Sequence, residues 1–171
     1  MAVCVSRYLE PRETARDVFS IDYEGLWQRG IRGLIFDLDN TLCLWRQGPP
    51  SGEMLGFLKG LRRQGFRICV LSNGHLSSQP EVLSAFSGAG IPLIWPARKP
   101  LPWGFRRALS VLGTRPEETA VIGDQLLTDV LGGNLLGLHT ILVDPLSPVE
   151  HLWTWLFSRT VERFLGRRLR R

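Results

Sequence analysis

Between Ile31 and Val143 five short apolar runs alternate with four longer stretches of helical character. The runs read as strands over 32–37, 67–71, 92–95, 119–122 and 139–143. The stretches between them read as helices over 52–64, 79–88, 102–112 and 126–136. Strands separated by helices of this length are the pattern of βαβ units, which build a parallel sheet with right-handed crossovers. Few architectures satisfy it. The expectation is an α/β, three-layer, Rossmann-like fold around a central parallel sheet. The run Gly33-Leu34-Ile35-Phe36 is apolar at successive positions, as a strand covered on both faces requires. Gly65, Gly90 and Gly113 each follow a helix, where a left-handed C-cap favours glycine.

Parallel topology carries the C-terminal ends of all strands to one edge, where open α/β sheets place their ligands. Polar clusters follow four of the five runs. They are Asp37-Leu38-Asp39-Asn40-Thr41, Ser72-Asn73-Gly74-His75, Arg98-Lys99-Pro100 and Gly123-Asp124 with Asp129 beyond it. Taken singly, each has an ordinary reading. Ser72-Asn73-Gly74 reads as a turn, Asp124 as a helix cap, Lys99 as a solvated loop charge and Asp129 as a first-turn acid. Taken together, they place acids, a lysine and a serine around one pocket.

That set suits phosphoryl transfer through a phospho-aspartate. A carboxylate attacking phosphorus splits a difficult hydrolysis into two displacements, and Asp37 is the expected nucleophile. Asp39 is placed to protonate the leaving oxygen and then to deprotonate water. Lys99 is expected to neutralise charge shared by phosphate and nucleophile. Thr41, Ser72, Asn73 and Lys99 form the expected phosphate-binding group. Clustered carboxylates repel one another and call for a hard cation, Mg²⁺, held by Asp37, Asp124, the carbonyl of Asp39 and Asp129 behind water. His75 has no paired His or Cys nearby in sequence, and Cys43 is at best a weak nucleophile.

In order along the chain, Asp37-Leu38-Asp39-Asn40-Thr41, Ser72-Asn73, Lys99-Pro100 and Gly123-Asp124 with Asp129 resemble the four motifs of the haloacid dehalogenase (HAD) superfamily of phosphatases. Gly30 to Leu42, Ala97 to Pro100 and Gly123 to Pro145 are similar to the YqeG-like group of its subfamily IIIA. The resemblance covers roughly residues 8–171 and implies a Mg²⁺-dependent phosphomonoesterase. Fungal mitochondrial relatives of that group convert phosphatidylglycerophosphate to phosphatidylglycerol, which makes this lipid the expected substrate. Gly74-His75 departs from the pattern, since many relatives carry a second asparagine there. The gaps from Thr41 to Ser72 and from Ser72 to Lys99 are too short for a large cap domain, so an open pocket is expected.

Charge bears on the partner. The formal net charge is +5, and from Arg159 onward six arginines (Arg159, Arg163, Arg167, Arg168, Arg170, Arg171) face only Glu162. Residues 1–158 therefore carry 15 basic and 15 acidic side chains. On a helix, Phe157, Val161, Phe164 and Leu165 form one stripe, opposite Arg159, Arg163, Arg167 and Arg170, with Trp153 and Trp155 before them. This is the pattern of an interfacial helix on an anionic membrane, so residues 151–171 are expected to dock there. Packing of the stripe on the core is the alternative, and nucleic acid is the less expected partner because no recognition module accompanies the arginines.

The expected divisions are a lead-in over 1–30 of weak helix-and-turn character, a phosphatase core over 31–146 and a basic helix over 147–171. With 44% hydrophobic residues, disorder and fibres are excluded. Three cysteines, Cys4, Cys43 and Cys69, show no metal spacing and no even count for disulfides, and Cys69 reads as core. The expected place is cytoplasmic, peripheral on the membrane. Two other functions fit the residues: a soluble sugar or nucleotide phosphatase, and a non-catalytic RNA- or ribosome-binding protein.

Overall fold

The run that ends in Asp37 is a strand, Gly33–Asp37, buried at every position and flanked by a strand on each side. The computed structural model describes residues 7–44 and 47–147. The basic segment over 151–171, with its expected membrane helix, lies outside the described residues. Six strands, all parallel, form one sheet: β1 (Glu13–Ala15), β2 (Gly33–Asp37), β3 (Arg67–Leu71), β4 (Leu93–Ile94), β5 (Thr119–Gly123) and β6 (His139–Val143). Their spatial order is β1-β6-β5-β2-β3-β4. From β2 the chain builds outward through β3 to β4, then returns to place β5 on the other side of β2. The strand order therefore reverses between β2 and β5, and that switch point opens a crevice at their C-terminal ends.

Alternation along the strands supplies both faces. Leu34, Phe36, Ile68, Val70, Ala120 and Ile122 face one core; Ile35, Cys69, Leu71 and Val121 face the other. Over the first lie α1 (Tyr23–Gln28), α2 (Gly52–Arg63) and α3 (Pro80–Gly88). Over the second lies α4 (Pro102–Leu112), with the short α5 (Leu131–Leu135) beside it. Phe36, Phe86 and Phe105 are fully buried, and each such side chain contributes about 1.5–3 kcal/mol on leaving water.

Arginines close helix ends that local sequence leaves open. Arg67 donates to the carbonyls of Leu112 and Gly113 at 2.9 and 2.8 Å, satisfying the end of α4. Arg62 does the same for Ala89 at 2.8 Å. Gly65, Gly90 and Gly113 have φ of +105°, +64° and +61°, so the expected left-handed caps are present.

Three elements differ from the sequence reading. Within the lead-in, Glu13–Ala15 is an edge strand in register with Ile141–Val143. Asn134 fixes it by donating to the carbonyls of Tyr8 and Glu10, both at 2.9 Å. The run over 92–95 narrows to a strand of two residues, Leu93–Ile94. The single helix expected over 126–136 is divided into a widened turn of π-helix, Leu126–Val130, followed by α5.

Candidate active site

All the acids expected at the pocket lie at or just beyond the ends of strands β2 and β5. Asp37 is the last residue of β2 and is 5% exposed. Asp39 follows in the next turn, where the left-handed Asn40 (φ +61°) bends the chain back so that Asp39 bridges to Cys43. Asp124 follows β5 directly and is buried.

Asp129 owes its place to the π turn. Both its amide and that of Val130 bond the carbonyl of Gln125, at 3.0 and 3.3 Å, and the extra residue in the turn swings the carboxylate inward. The strand end must leave room for it. A Cβ on Gly123 would lie 2.4 Å from the Asp129 Cγ.

Lys99 comes from the loop between β4 and α4. Arg98 before it has φ +57°, unusual for a residue with a side chain; Arg98 is exposed, while Lys99 is buried. The Lys99 ammonium pairs with the Asp37 carboxylate, and with Asp129 at 2.7 Å. Burial alone would lower the lysine pKa; the charges of Asp129 and Asp37 outweigh it and hold the group above its ordinary value. Lys99 is a fixed cation.

One cation does not balance the acids around it. Burial, opposed by Lys99 and reinforced by Asp129 and Asp39, pushes the Asp37 carboxyl up to about 7. Burial, then the charges of Asp37 and Asp129, pushes Asp124 up to about 8. Oxygens of Asp37, Asp124 and Asp129 lie within 4.8 Å of one another, and the buried Oδ1 of Asp124 has no hydrogen-bond partner. Three buried carboxylates, one with an oxygen left over, form an all-oxygen donor set that fits a hard divalent cation.

The phosphate-side residues are also brought together, with contacts the sequence does not reveal. The Thr41 hydroxyl donates to Asp37 at 3.3 Å. Ser72 donates to Asp39 at 3.1 Å and accepts from the Gly74 amide at 2.9 Å. Asn73 turns its amide to the main chain of Lys99, so it positions the lysine. Cys43 is half-buried, and burial with the charges of Asp39 and Asp37 pushes its thiol up to about 12, which keeps it un-ionised. His75 is exposed. It lines a cleft of about 660 Å³ that leads outward from Asp39 past Gly74, Ser78, Gln79 and Glu81.

Comparison with known proteins agrees with this geometry. A family profile described as HAD-hydrolase-like matches residues 96–145. The probable phosphatase YqeG of Bacillus subtilis is 36% identical over 167 residues, which cover 98% of this chain and 95% of that protein. The chain belongs to the YqeG family of HAD phosphatases.

Other similarities set this YqeG-family chain in a wider group. The chloroplastic phosphatidylglycerophosphate phosphatase 1 of Chlamydomonas reinhardtii is 30% identical over 90% of the chain, which spans 60% of that protein. The Arabidopsis thaliana enzyme of that name, chloroplastic/mitochondrial, is 29% identical, and the chain spans 43% of it. A predicted HAD-like family hydrolase from Porphyromonas gingivalis superposes with a TM-score of 0.51 at 18% identity, covering 77% of this chain and 98% of that one. The fold is the HAD fold. Among the described residues no helix is long and apolar enough to cross a membrane. Between Thr41 and Ser72 the named elements are α2 and β3 alone, so no large cap is present among the described residues.

Proposed function

We propose that this YqeG-family phosphatase hydrolyses phosphatidylglycerophosphate to phosphatidylglycerol, with a divalent cation and a phospho-aspartate intermediate. The observation that carries the chemistry is the setting of Asp37, paired with Lys99, touched by Thr41 and grouped with Asp124 and Asp129. An Asp37 carboxylate oxygen forms a bond to phosphorus as the ester oxygen departs, and Asp39 gives that oxygen its proton. Asp39 then takes a proton from water, whose oxygen bonds to phosphorus; the Asp37–phosphorus bond breaks and inorganic phosphate leaves. Lys99 balances charge on the nucleophile and the transferring oxygens throughout. Ser72, held by the Gly74 amide and against Asp39, keeps the acid in place.

Asp37, Asp124 and Asp129 would hold the cation, Mg²⁺ in our reading, with the Asp39 carbonyl as a further oxygen. When bound it supplies positive charge beside the phosphate and keeps Asp37 ionised.

The lipid is supported by the activity for which the two plant and algal relatives are named and by the lack of a large cap among the described residues. The test is phosphate release with Mg²⁺ from phosphatidylglycerophosphate in mixed micelles, beside glycerol 3-phosphate and a nucleoside monophosphate. Preference for the lipid, abolished by a chelator, is expected. Turnover of the soluble esters alone would remove the lipid from the proposal.

A further inference from the structure

Large apolar side chains are exposed mostly on one side of this molecule. Of the seven that are exposed among the described residues, Leu44, Leu101, Trp103 and Leu146 lie in segments leaving the C-terminal ends of strands β2, β4 and β6. The other three lie elsewhere: Phe19 against Phe57 halfway along α2, and Val111 and Leu135 at the far ends of α4 and α5. The strands are parallel, so those four side chains lie toward the edge that holds Asp37 and Lys99. Leu101 and Trp103 stand out furthest of these four, at 58% and 50% exposure, two and four residues after Lys99. The first turn of α4 that carries them is packed tightly to the loop that carries Lys99: a Cβ on Gly104 would lie 2.4 Å from the Ala97 carbonyl oxygen.

The charge next to Leu101 and Trp103 is positive, while the exposed acids Glu53, Glu81 and Asp144 belong to other segments leaving that edge. Arg98 precedes Leu101 by three residues, and Arg106 and Arg107 follow Trp103 by three and four, one helical turn on; all three are exposed, and none pairs with a carboxylate among the described residues. Arg107 stands over the Trp103 ring, 5.6 Å from its centroid. The exit of the chain is on this edge too. The Leu146 amide bonds the Asn40 carbonyl at 2.8 Å, beside the pocket, and 24 residues with six arginines follow Ser147.

We infer that this rim, with Leu101 and Trp103 at its centre, is the face on which the protein docks to an anionic phospholipid bilayer, pocket side down. The inference rests on the lipid reading proposed above and adds the surface that delivers it. An exposed tryptophan and leucine with three unpaired arginines beside them in the chain match the apolar boundary and the phosphate layer of such a leaflet. Docked this way, the protein meets a phosphomonoester where the headgroup already lies, and the bilayer closes a pocket that has no large cap among the described residues.

The test uses the full chain and vesicles of phosphatidylcholine with phosphatidylserine, the phosphatidylcholine brominated on its acyl chains. Trp103 emission is taken as the difference between the wild type and Trp103→Phe. Quenching of that difference signal by bromine is expected. Hydrolysis of vesicle-borne phosphatidylglycerophosphate should fall about fivefold for Arg106→Ser. It should fall further for Leu101→Ser with Trp103→Ser, with turnover of a monomeric short-chain analogue unchanged. Unquenched Trp103 with full turnover of the vesicle-borne lipid would overturn the surface and leave the substrate standing. Quenched Trp103 without lipid turnover would keep the surface and remove the substrate. Protection of Trp103 from acrylamide without vesicles would show the chain's own C-terminal segment seated on the rim. Protection by RNA without bromine quenching would make the partner nucleic acid. Either would overturn the inference.

Discussion

The side chain of Asn73 grips the main chain of Lys99 at both ends of one residue: its carbonyl accepts from the Lys99 amide at 2.7 Å, and its NH₂ donates to the Lys99 carbonyl at 3.1 Å. The end of β3 thereby sets where Lys99 stands. Asn73→Ala should cost about 1–3 kcal/mol of stability through two lost bonds. It should also lower kcat about tenfold or more, because displaced charges lose most of their effect. Asn73→Asp keeps only the acceptor and sets a carboxylate against a carbonyl, so it should be no better than alanine. Denaturant midpoints with steady-state kinetics decide this; wild-type kcat in Asn73→Ala would refute the positioning role.

Asp37→Asn keeps shape and removes the proposed nucleophile. Phosphate release should fall below about a thousandth of the wild-type rate, a loss of more than about 4 kcal/mol in the barrier. The fold should survive, since the substitution also relieves repulsion with Asp129 and Asp39. Retained turnover would sink the assignment of Asp37.

Acid chemistry of the pocket gives a signed pH dependence. In an unfolded chain both Asp37 and Asp124 titrate near about 3.9, whereas in the fold they titrate near about 7 and about 8. Between those values the native state binds more protons than the unfolded one, so the cation-free protein loses stability as pH rises from about 4 to about 8. A divalent cation displaces those protons, so its affinity should rise across the upper part of that window. Thermal melts with and without Mg²⁺ from pH 5 to pH 8.5 test this. A Mg²⁺-induced Tm shift independent of pH would contradict it.

Lys99 is buried between Asp37 and Asp129, and Lys99→Met would leave both without their cation. Removing one partner of a buried ion pair costs about 3–5 kcal/mol. Part of that loss should be recovered by Mg²⁺, giving the variant a larger Mg²⁺-induced Tm shift than the wild type while turnover stays abolished. An equal or smaller shift would mean that the acids and the cation are not coupled.

Gly104→Ala tests the seat of the loop that carries Lys99. Its Cβ would meet the Ala97 carbonyl oxygen at 2.4 Å, a contact with main chain that cannot rotate away. A loss of about 1–3 kcal/mol is expected from overpacking, with reduced activity because the shift is passed to Lys99 two residues on. Wild-type melting and kinetics would show that the loop yields freely.

Much of this was legible in sequence because its signals are local. The apolar runs of β2, β3, β5 and β6 are continuous, and the chemistry follows each strand within a few residues. The edge strand Glu13–Ala15 was not legible, having only Ala15 as an apolar residue; its pairing with Ile141–Val143 and the ties from Asn134 make it a strand. Apolar periodicity over 126–136 gave one helix because a single extra residue in a turn barely alters a hydrophobic stripe. What marks the π turn is the inward reach of Asp129 to Lys99, a long-range contact. The same holds for Asn73: Ser-Asn-Gly reads as a turn, and only the fold reveals which main chain its amide meets.

The place of β1 in the sheet has a consequence for how the chain emerges from the ribosome. Arg12 bonds to Thr140, 128 residues downstream, so the earliest strand has nothing to pair with until almost the whole described chain exists. At roughly 5–20 residues per second that interval is on the order of ten seconds. Every residue of the pocket, through Asp129, is translated before β6. The nascent chain can therefore gather its chemistry first, and the strand made first is the last to be seated.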